Sequence, residues 1–403
     1  MSFSLSLAVK KNSQTQLIHA PRHAPQLIST IQPPVYRAST IIFNNTDALF
    51  NRHWTDAYDY SYGTHGTPTT FNLADQIAQL EGGQYCLLAP SGLSAINLVN
   101  SCFLGHGDEV WVADNIYGPN MEHLRYLEKA YGVHVQVYNP IDVESFQPTN
   151  KAKLLWLEAA GSVTLEFPNL VGLVNKAKAL NMLTALDNTW GAGLAFNAFD
   201  FSEAHLSVDI TVHALTKYPS GGGDILMGSV VTRDQALHHQ LFRMHALQGV
   251  SVSGDDVAQV QRSLASMQLR YQAQSQSALT LLSWLKQQPQ FSQVLHPADP
   301  ENATHQYWQE VCQTQQSAGL VSVIFNEGYS LRDIRAFCDS LQLFKLGFSW
   351  GGPVSLVMLY ELKHMRHLQQ SHLASGILVR FCIGLEATED LIDDIKQALK
   401  VLA

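Results

Sequence analysis

Between residues 72 and 231 short apolar runs alternate with amphipathic stretches, and few architectures accommodate that rhythm. The apolar runs are "YCLLAP", "EVWVAD", "VHVQVY", "KLLWLEA", "LTALD", "DITVHAL" and "ILMGSVV", which make seven candidate strands. Helical patterns such as "NLADQIAQLEGG", "PNMEHLRYLEKAYG" and "NLVGLVNKAKALN" separate them, the first closed by a Gly-Gly stop. Strands apolar on both faces must be covered on both sides, and the intervening helices supply that cover. The expectation is an α/β domain on a mostly parallel, seven-stranded sheet.

The texture differs on either side of this span. Residues 1–61 are Pro-punctuated with little periodicity, as in "HAPRHAPQL" and "IQPPVYRAST", and read as an arm that lies on another surface. Near residue 255 the stretch "DDVAQVQRSLASMQLRYQAQSQSALTLLSWLKQ" predicts one long helix opened by acidic residues, a bridge to a smaller α+β unit. The expected division is an arm over 1–61, a large domain over 62–255 and a small C-terminal domain over 256–403. With 403 residues, 46% of them hydrophobic, the chain can bury one large core and a second smaller one.

A net charge of −9 leaves no basic face for nucleic acid or anionic lipid, so the expected partners are small molecules. Five scattered cysteines without CxxC spacing argue against a disulfide framework and against a zinc site, and read as reduced thiols. The N-terminal "MSFSLSLAVKK" has no basic residue before its apolar patch, and no run reaches membrane-spanning length. The expected location is the cytoplasm. Histidine pairs His238/His239 and His364/His367 lack a third ligand nearby, so no metal is expected.

Ligands of open α/β sheets gather outside the carboxyl ends of the strands. Asp187 ends an otherwise apolar strand in "LTALDNTWGAG", where a carboxylate needs a cationic partner or else caps the following turn. Lys217, in "HALTKYPSGGGD", stands between an apolar run and a triple glycine. It reads either as an amine made nucleophilic by burial or as a phosphate-binding or snorkelling lysine. In "LAPSGLSAIN" a strand runs through Ser91-Gly92 into a helix, leaving backbone N–H groups for an anion, and Thr216 offers a hydroxyl to the same charge. A phosphate cradle, a buried carboxylate and an imine-forming lysine together suit pyridoxal 5′-phosphate.

"DNTWGAG" followed by "HALTKYPSGGGD", with Lys217 thirty residues after Asp187, resembles the Cys/Met-metabolism family of pyridoxal-phosphate-dependent enzymes, of fold type I. "YGTHGTPTTFNLADQIAQLEGG", "LAPSGLSAI", "DNIYGPN", "SWGG" and "LVRFCIGLE" follow in the order expected of its cystathionine β-lyases. The resemblance implies a large domain of the aspartate aminotransferase type, a smaller C-terminal domain, and a homo-oligomer, dimer of dimers, with sites shared between subunits. It implies that Lys217 attaches the cofactor and shuttles protons, that Asp187 faces the ring nitrogen and that Tyr117 stacks on the ring and helps accept a proton. Gly92, Leu93 and Thr216 would hold the phosphate, with Tyr62 and Thr64 reaching it from a neighbouring subunit. Arg380 would clamp the substrate carboxylate, with Ser349, Trp350 and Tyr62 beside the substrate.

Three departures from the family pattern stand out. Thr64 occupies a position usually arginine, with His65 next. Ala214 stands where a serine often serves the phosphate, and Phe348 replaces a tyrosine. The implied reaction is β-elimination on L-cystathionine giving homocysteine, pyruvate and ammonia, because Trp350 resembles the bulky residue of β-lyases. A γ-acting relative, a non-catalytic cofactor-binding protein and a racemase side activity are the alternatives.

Overall fold

Thr67 accepts the backbone N–H of Thr70, Pro68 follows at the first helical position, and Gly82 stops the helix at a left-handed φ of 80°. These signals bound α3 (Pro68–Glu81), which follows two short helices, α1 (Ser13–Ile18) and α2 (Thr46–Phe50). The computed structural model describes residues 13–19, 30–53, 58–201, 205–312, 314–368 and 372–402, without the side chains of Ser13, Gln16 and His364. The apolar N-terminal stretch and parts of the expected arm lie outside the described residues.

The chain continues through β1 (Tyr85–Ala89), α4 (Gly92–Phe103), β2 (Glu109–Ala113), α5 (Gly118–Tyr131), β3 (His134–Tyr138), β4 (Ala152–Glu158), α6 (Leu170–Ala179), β5 (Leu183–Asp187), β6 (Ile210–His213), β7 (Gly228–Thr232) and α7 (Gln235–Leu247). All seven predicted strands form and join one sheet in the order β1-β7-β6-β5-β4-β2-β3. Pairings from β6 through to β3 are parallel, whereas β7 runs antiparallel to both its neighbours. One buried apolar cluster lies around Leu155, Leu157 and Leu186 and the other around Val110, Leu154 and Val212, so alternate residues of the same strands feed the two sheet faces.

Two expectations shift. The predicted strand over 209–215 ends at His213, because Lys217 N donates to Ala214 O and Gly221 N to Lys217 O, curling the chain into turns that hold Lys217. The single long helix is two, α8 (Gly254–Leu264) and α9 (Met267–Leu285). Between them Arg270 donates Nη2 to Ser263 O at 3.1 Å and Nη1 to Tyr218 O at 2.8 Å, so its guanidinium occupies a carbonyl at the end of α8 and ties the break to the Lys217 turn.

The second sheet combines β8 (Phe291–Leu295), β9 (Leu320–Phe325), β10 (Lys345–Leu346), β11 (Leu356–Glu361) and β12 (Ile377–Cys382). Their order is β10-β11-β12-β9-β8, antiparallel apart from the short β10–β11 pair. Of the helices in this half, α10 (His305–Val311) feeds the large core, while α9, α11 (Leu331–Ser340) and α12 (Thr388–Leu399) close a third core over this sheet. Among the described residues no helix is long and apolar enough to cross a membrane.

Candidate active site

A cavity of about 180 Å³ opens at the carboxyl ends of the central strands and adjoins an outer chamber of about 820 Å³ between the two sheets' halves. Gly92, Leu93, Tyr117, Asp187, Thr216, Lys217, Trp350 and Arg380 line the inner cavity, and Ser349 lines the outer chamber beside Lys217. Tyr62 and Thr64 do not join them. Tyr62 is 46% exposed on an isolated bridge to Thr40, and Thr64 lines a separate small pocket with His65 and His245.

Each side chain is placed by local structure. Ser91 caps α4 by accepting Ser94 N at 3.0 Å, which leaves the N–H groups of Gly92 and Leu93 in the unpaired first turn at the cavity wall. A Cβ on Gly92 would meet that of Ala214 at 2.6 Å, so glycine permits the close approach of helix and Lys217 turn. Thr216 lines the cavity, but its hydroxyl donates to Met227 O at 3.2 Å. Asp187 sits at the end of β5, accepts Thr189 N at 3.0 Å, and has no cation at ion-pair distance among the described residues. Burial raises its carboxyl, while Thr189 and His213 oppose the shift.

Lys217 donates to Ser349 Oγ at 2.7 Å, and its Nζ stands 4.5 Å from the centre of the Trp350 ring. Burial, then the Arg380 charge, lowers its amine to about 8. Ser349 holds a φ of 133°, a strained value for a residue with a Cβ, next to Gly351 at φ 74°, whose added Cβ would strike Tyr218 N at 2.8 Å. Arg380, 5% exposed on β12, lays its guanidinium 5.3 Å from Trp350 and 5.5 Å from Tyr360, and its Nε has no hydrogen-bond partner. Tyr117 precedes α5, and burial followed by the Asp187 and Glu158 charges raises its hydroxyl, which is therefore protonated at neutral pH.

Glu158, Ser162 and Thr189 escaped the sequence reading. Glu158 ends β4 in register with Asp187, accepts Tyr117 N at 2.6 Å, and is hydrogen-bonded to Ser162 Oγ at 2.7 Å. Its signal was the same as that of Asp187, an acid closing an apolar run in "KLLWLE". Beneath the sheet the buried Glu81 takes His213 Nδ1 at 2.8 Å and Asn188 Nδ2 at 2.7 Å. Tyr85 stacks on His238 at 4.8 Å, and no group of three metal-binding side chains converges among the described residues.

These residues fit pyridoxal phosphate. A carboxylate without a cation suits a protonated ring nitrogen, two unpaired helix-start amides suit a phosphate, and a shielded amine of lowered basicity suits attack on an aldehyde. Comparison with known proteins agrees. The chain is 34% identical over 97% of its length to a putative cystathionine beta-lyase of Rhizobium johnstonii, and the alignment covers 97% of that protein. It is 30% identical over 96% of its length to the cystathionine beta-lyase MetC of Escherichia coli, covering 97% of it. Among solved structures, metB from Corynebacterium glutamicum superposes with a TM-score of 0.86 at 26% identity, covering 98% of this chain and 99% of that one. The model of one family matches residues 14–400, and the chain accordingly belongs to the Cys/Met metabolism PLP-dependent enzymes.

Proposed function

We propose that the chain catalyses β-elimination on L-cystathionine, releasing homocysteine, pyruvate and ammonia. Family membership and the relatives named as β-lyases support the reaction class. The observation that carries the choice of carbon is Trp350, whose indole stands against both the Lys217 amine and the Arg380 guanidinium. Its bulk, set between base and carboxylate clamp, limits the room for a substrate and favours the short reach from Cα to Cβ.

Pyridoxal phosphate supplies an aldehyde that takes up amines and a ring that accepts the electrons released at Cα. Gly92 and Leu93 amides would hold its phosphate, with Thr216 assisting if its hydroxyl leaves Met227, and Asp187 would hold the charge of the ring nitrogen. Lys217 would attach the group and, once the substrate amine has displaced it, would remove the Cα proton and return a proton to the departing thiolate. An amine near 8 suits both transfers at neutral pH. Tyr117 would cover the ring and, its hydroxyl being protonated, would take a proton from the incoming amine only as it passes its own on. Arg380 takes the α-carboxylate through its planar fork, with Ser349 beside Lys217.

The active unit is a homotetramer, a dimer of dimers, in which Tyr62 and Thr64 complete a neighbour's phosphate site. In support, Tyr62 is turned outward and the 30–53 segment exposes Ile42 at 90% and Phe50 at 79%. The free cysteines support a cytoplasmic location.

Incubation with cystathionine decides the reaction. Pyruvate is expected, together with a visible cofactor band that vanishes, along with all keto acid, in Lys217→Ala. Release of α-ketobutyrate would assign γ-chemistry, and a cofactor band without keto acid would assign a non-catalytic binder.

A further inference from the structure

We propose that Glu158 positions Tyr117 and carries the proton that leaves Asp187 the only anion of the two, an inference that rests on the proposed roles of Asp187 and Tyr117. The strands β4 and β5 end side by side, and Glu158 and Asp187 are register partners on one wall of the inner cavity. Two carboxyls so placed in a shielded site share one proton between them, and their surroundings decide which keeps it.

Glu158 is only 7% exposed, and the polar groups it meets are the Tyr117 amide and the hydroxyl and amide of Ser162, all neutral. The titratable groups facing it are Asp187 on β5, Tyr117 at the start of α5 and Tyr138 on β3, none of them cationic. Lys217 and Arg380 line the same cavity, where they act on one another and on Cys382 and Lys217 also acts on Asp187, but neither acts on Glu158. Asp187 faces the open cavity, takes the Thr189 N–H, and feels His213 from β6 as well as Glu81 from α3. Burial, then the Asp187 charge, pushes the Glu158 carboxyl well above the usual carboxylate range. With Oε2 accepting from Tyr117 N, the proton belongs on Oε1, and the bond to Ser162 reverses direction, as a hydroxyl permits. The wall then carries one negative charge, which matches one protonated ring nitrogen.

The amide contact gives Glu158 its second role. Tyr117 stands at the entry to α5 with no side-chain cap, so the 2.6 Å bond from its N–H is the polar tether that fixes where its ring projects.

Infrared difference spectroscopy of the holoenzyme, wild type minus Glu158→Gln, tests the proton without any substrate. The expected spectrum at pH 7 contains the carbonyl stretch of a protonated carboxylic acid, which fades only at a pH above the usual carboxylate range. A carboxylate signal at pH 7 in its place overturns the assignment, whether or not the enzyme forms pyruvate. For the tether, Glu158→Ala is expected to lower kcat for pyruvate release by about ten- to a hundredfold with little change in KM, and Glu158→Gln to restore most of it. Equal losses in Ala and Gln variants overturn the tether. Should the Ala variant not fold, the kcat of the Gln variant decides: a loss beyond about tenfold counts against the tether.

Discussion

The amine of Lys217 is the residue on which the chemistry depends, and its setting makes a measurable claim. Burial disfavours the ammonium, and Arg380 adds like-charge repulsion, so the amine is neutral above about 8, against ~10.4 for an exposed lysine. Trapping of an aldehyde on the cofactor-free protein with a hydride donor should therefore accelerate as pH rises through about 8. Replacing Arg380 by Met removes a cation and should move that midpoint upward. A midpoint unchanged by the substitution would refute the electrostatic part of the account. Arg380→Lys tests the other role of the guanidinium: loss of a bidentate, charged hydrogen bond worth roughly 1.5–3 kcal/mol should raise KM for cystathionine about ten- to a hundredfold with kcat little changed. Asp187 and Lys217 were legible because a polar residue at the end of an apolar run needs an explanation. Glu158 sends the same signal, but its tie to the Tyr117 backbone, 41 residues away, leaves no mark in sequence.

At the scale of elements, strands were legible because residues apolar on both faces cannot sit in a helix exposed to water. Strand direction was not: β7 is buried along its whole length as β2 is, and the chain's return from the Lys217 turn lays it antiparallel to both β6 and β1. The helix break at Ala265 was hidden too, since the apolar pattern runs on while Arg270 competes for a backbone carbonyl. Other junctions rest on a single side chain in the same way. Asp394 on α12 accepts the N–H groups of Gln342, Leu343 and Phe344 at 2.8, 2.7 and 3.2 Å, fixing the turn after α11. Gln342 and Leu343 are exposed to water, so only Phe344 N is stranded when the carboxylate goes. Asp394→Ala should therefore cost about 1–3 kcal/mol in denaturant unfolding, and Asp394→Asn, which retains an acceptor, distinctly less. Equal costs would show that packing of α12, and not these bonds, holds the turn.

At the scale of the whole molecule the two halves meet around the outer chamber, and a buried ion cluster clasps them there. Glu166 follows β4, while Arg366 and His372 lie in the connection from β11 to β12. Arg366 Nη2 donates to Glu166 Oε1 at 3.0 Å and Oε2 at 3.1 Å, and His372 Nε2 lies 3.1 Å from Oε1. The amides of His367 and Leu368 reach Asp114 at 2.8 and 3.3 Å, so His367 serves this clasp through its backbone. Partners 200 residues apart give the sequence no local signal. Burial alone would raise the Glu166 carboxyl, but the Arg366 charge and the bonds from His372, Thr164 and Asn115 outweigh it and hold it at about 2. The unfolded value is ~4.3, so this depressed group stabilises the fold fully above that pH, and the contribution is lost as pH falls through about 2. Arg366→Leu removes the chief cause and lets burial dominate, at a cost of about 3–5 kcal/mol at pH 7. With the carboxyl now raised, the sign inverts: between pH 4 and 6 the variant should gain stability as pH falls, while the wild type changes little or loses it. Unfolding free energies measured across that window should diverge toward neutral pH, and parallel curves would mean that the clasp contributes packing but no charge pairing. Because Arg366 also forms part of the chamber wall, the same variant should raise KM for cystathionine at pH 7, linking the closure of the two halves to substrate retention.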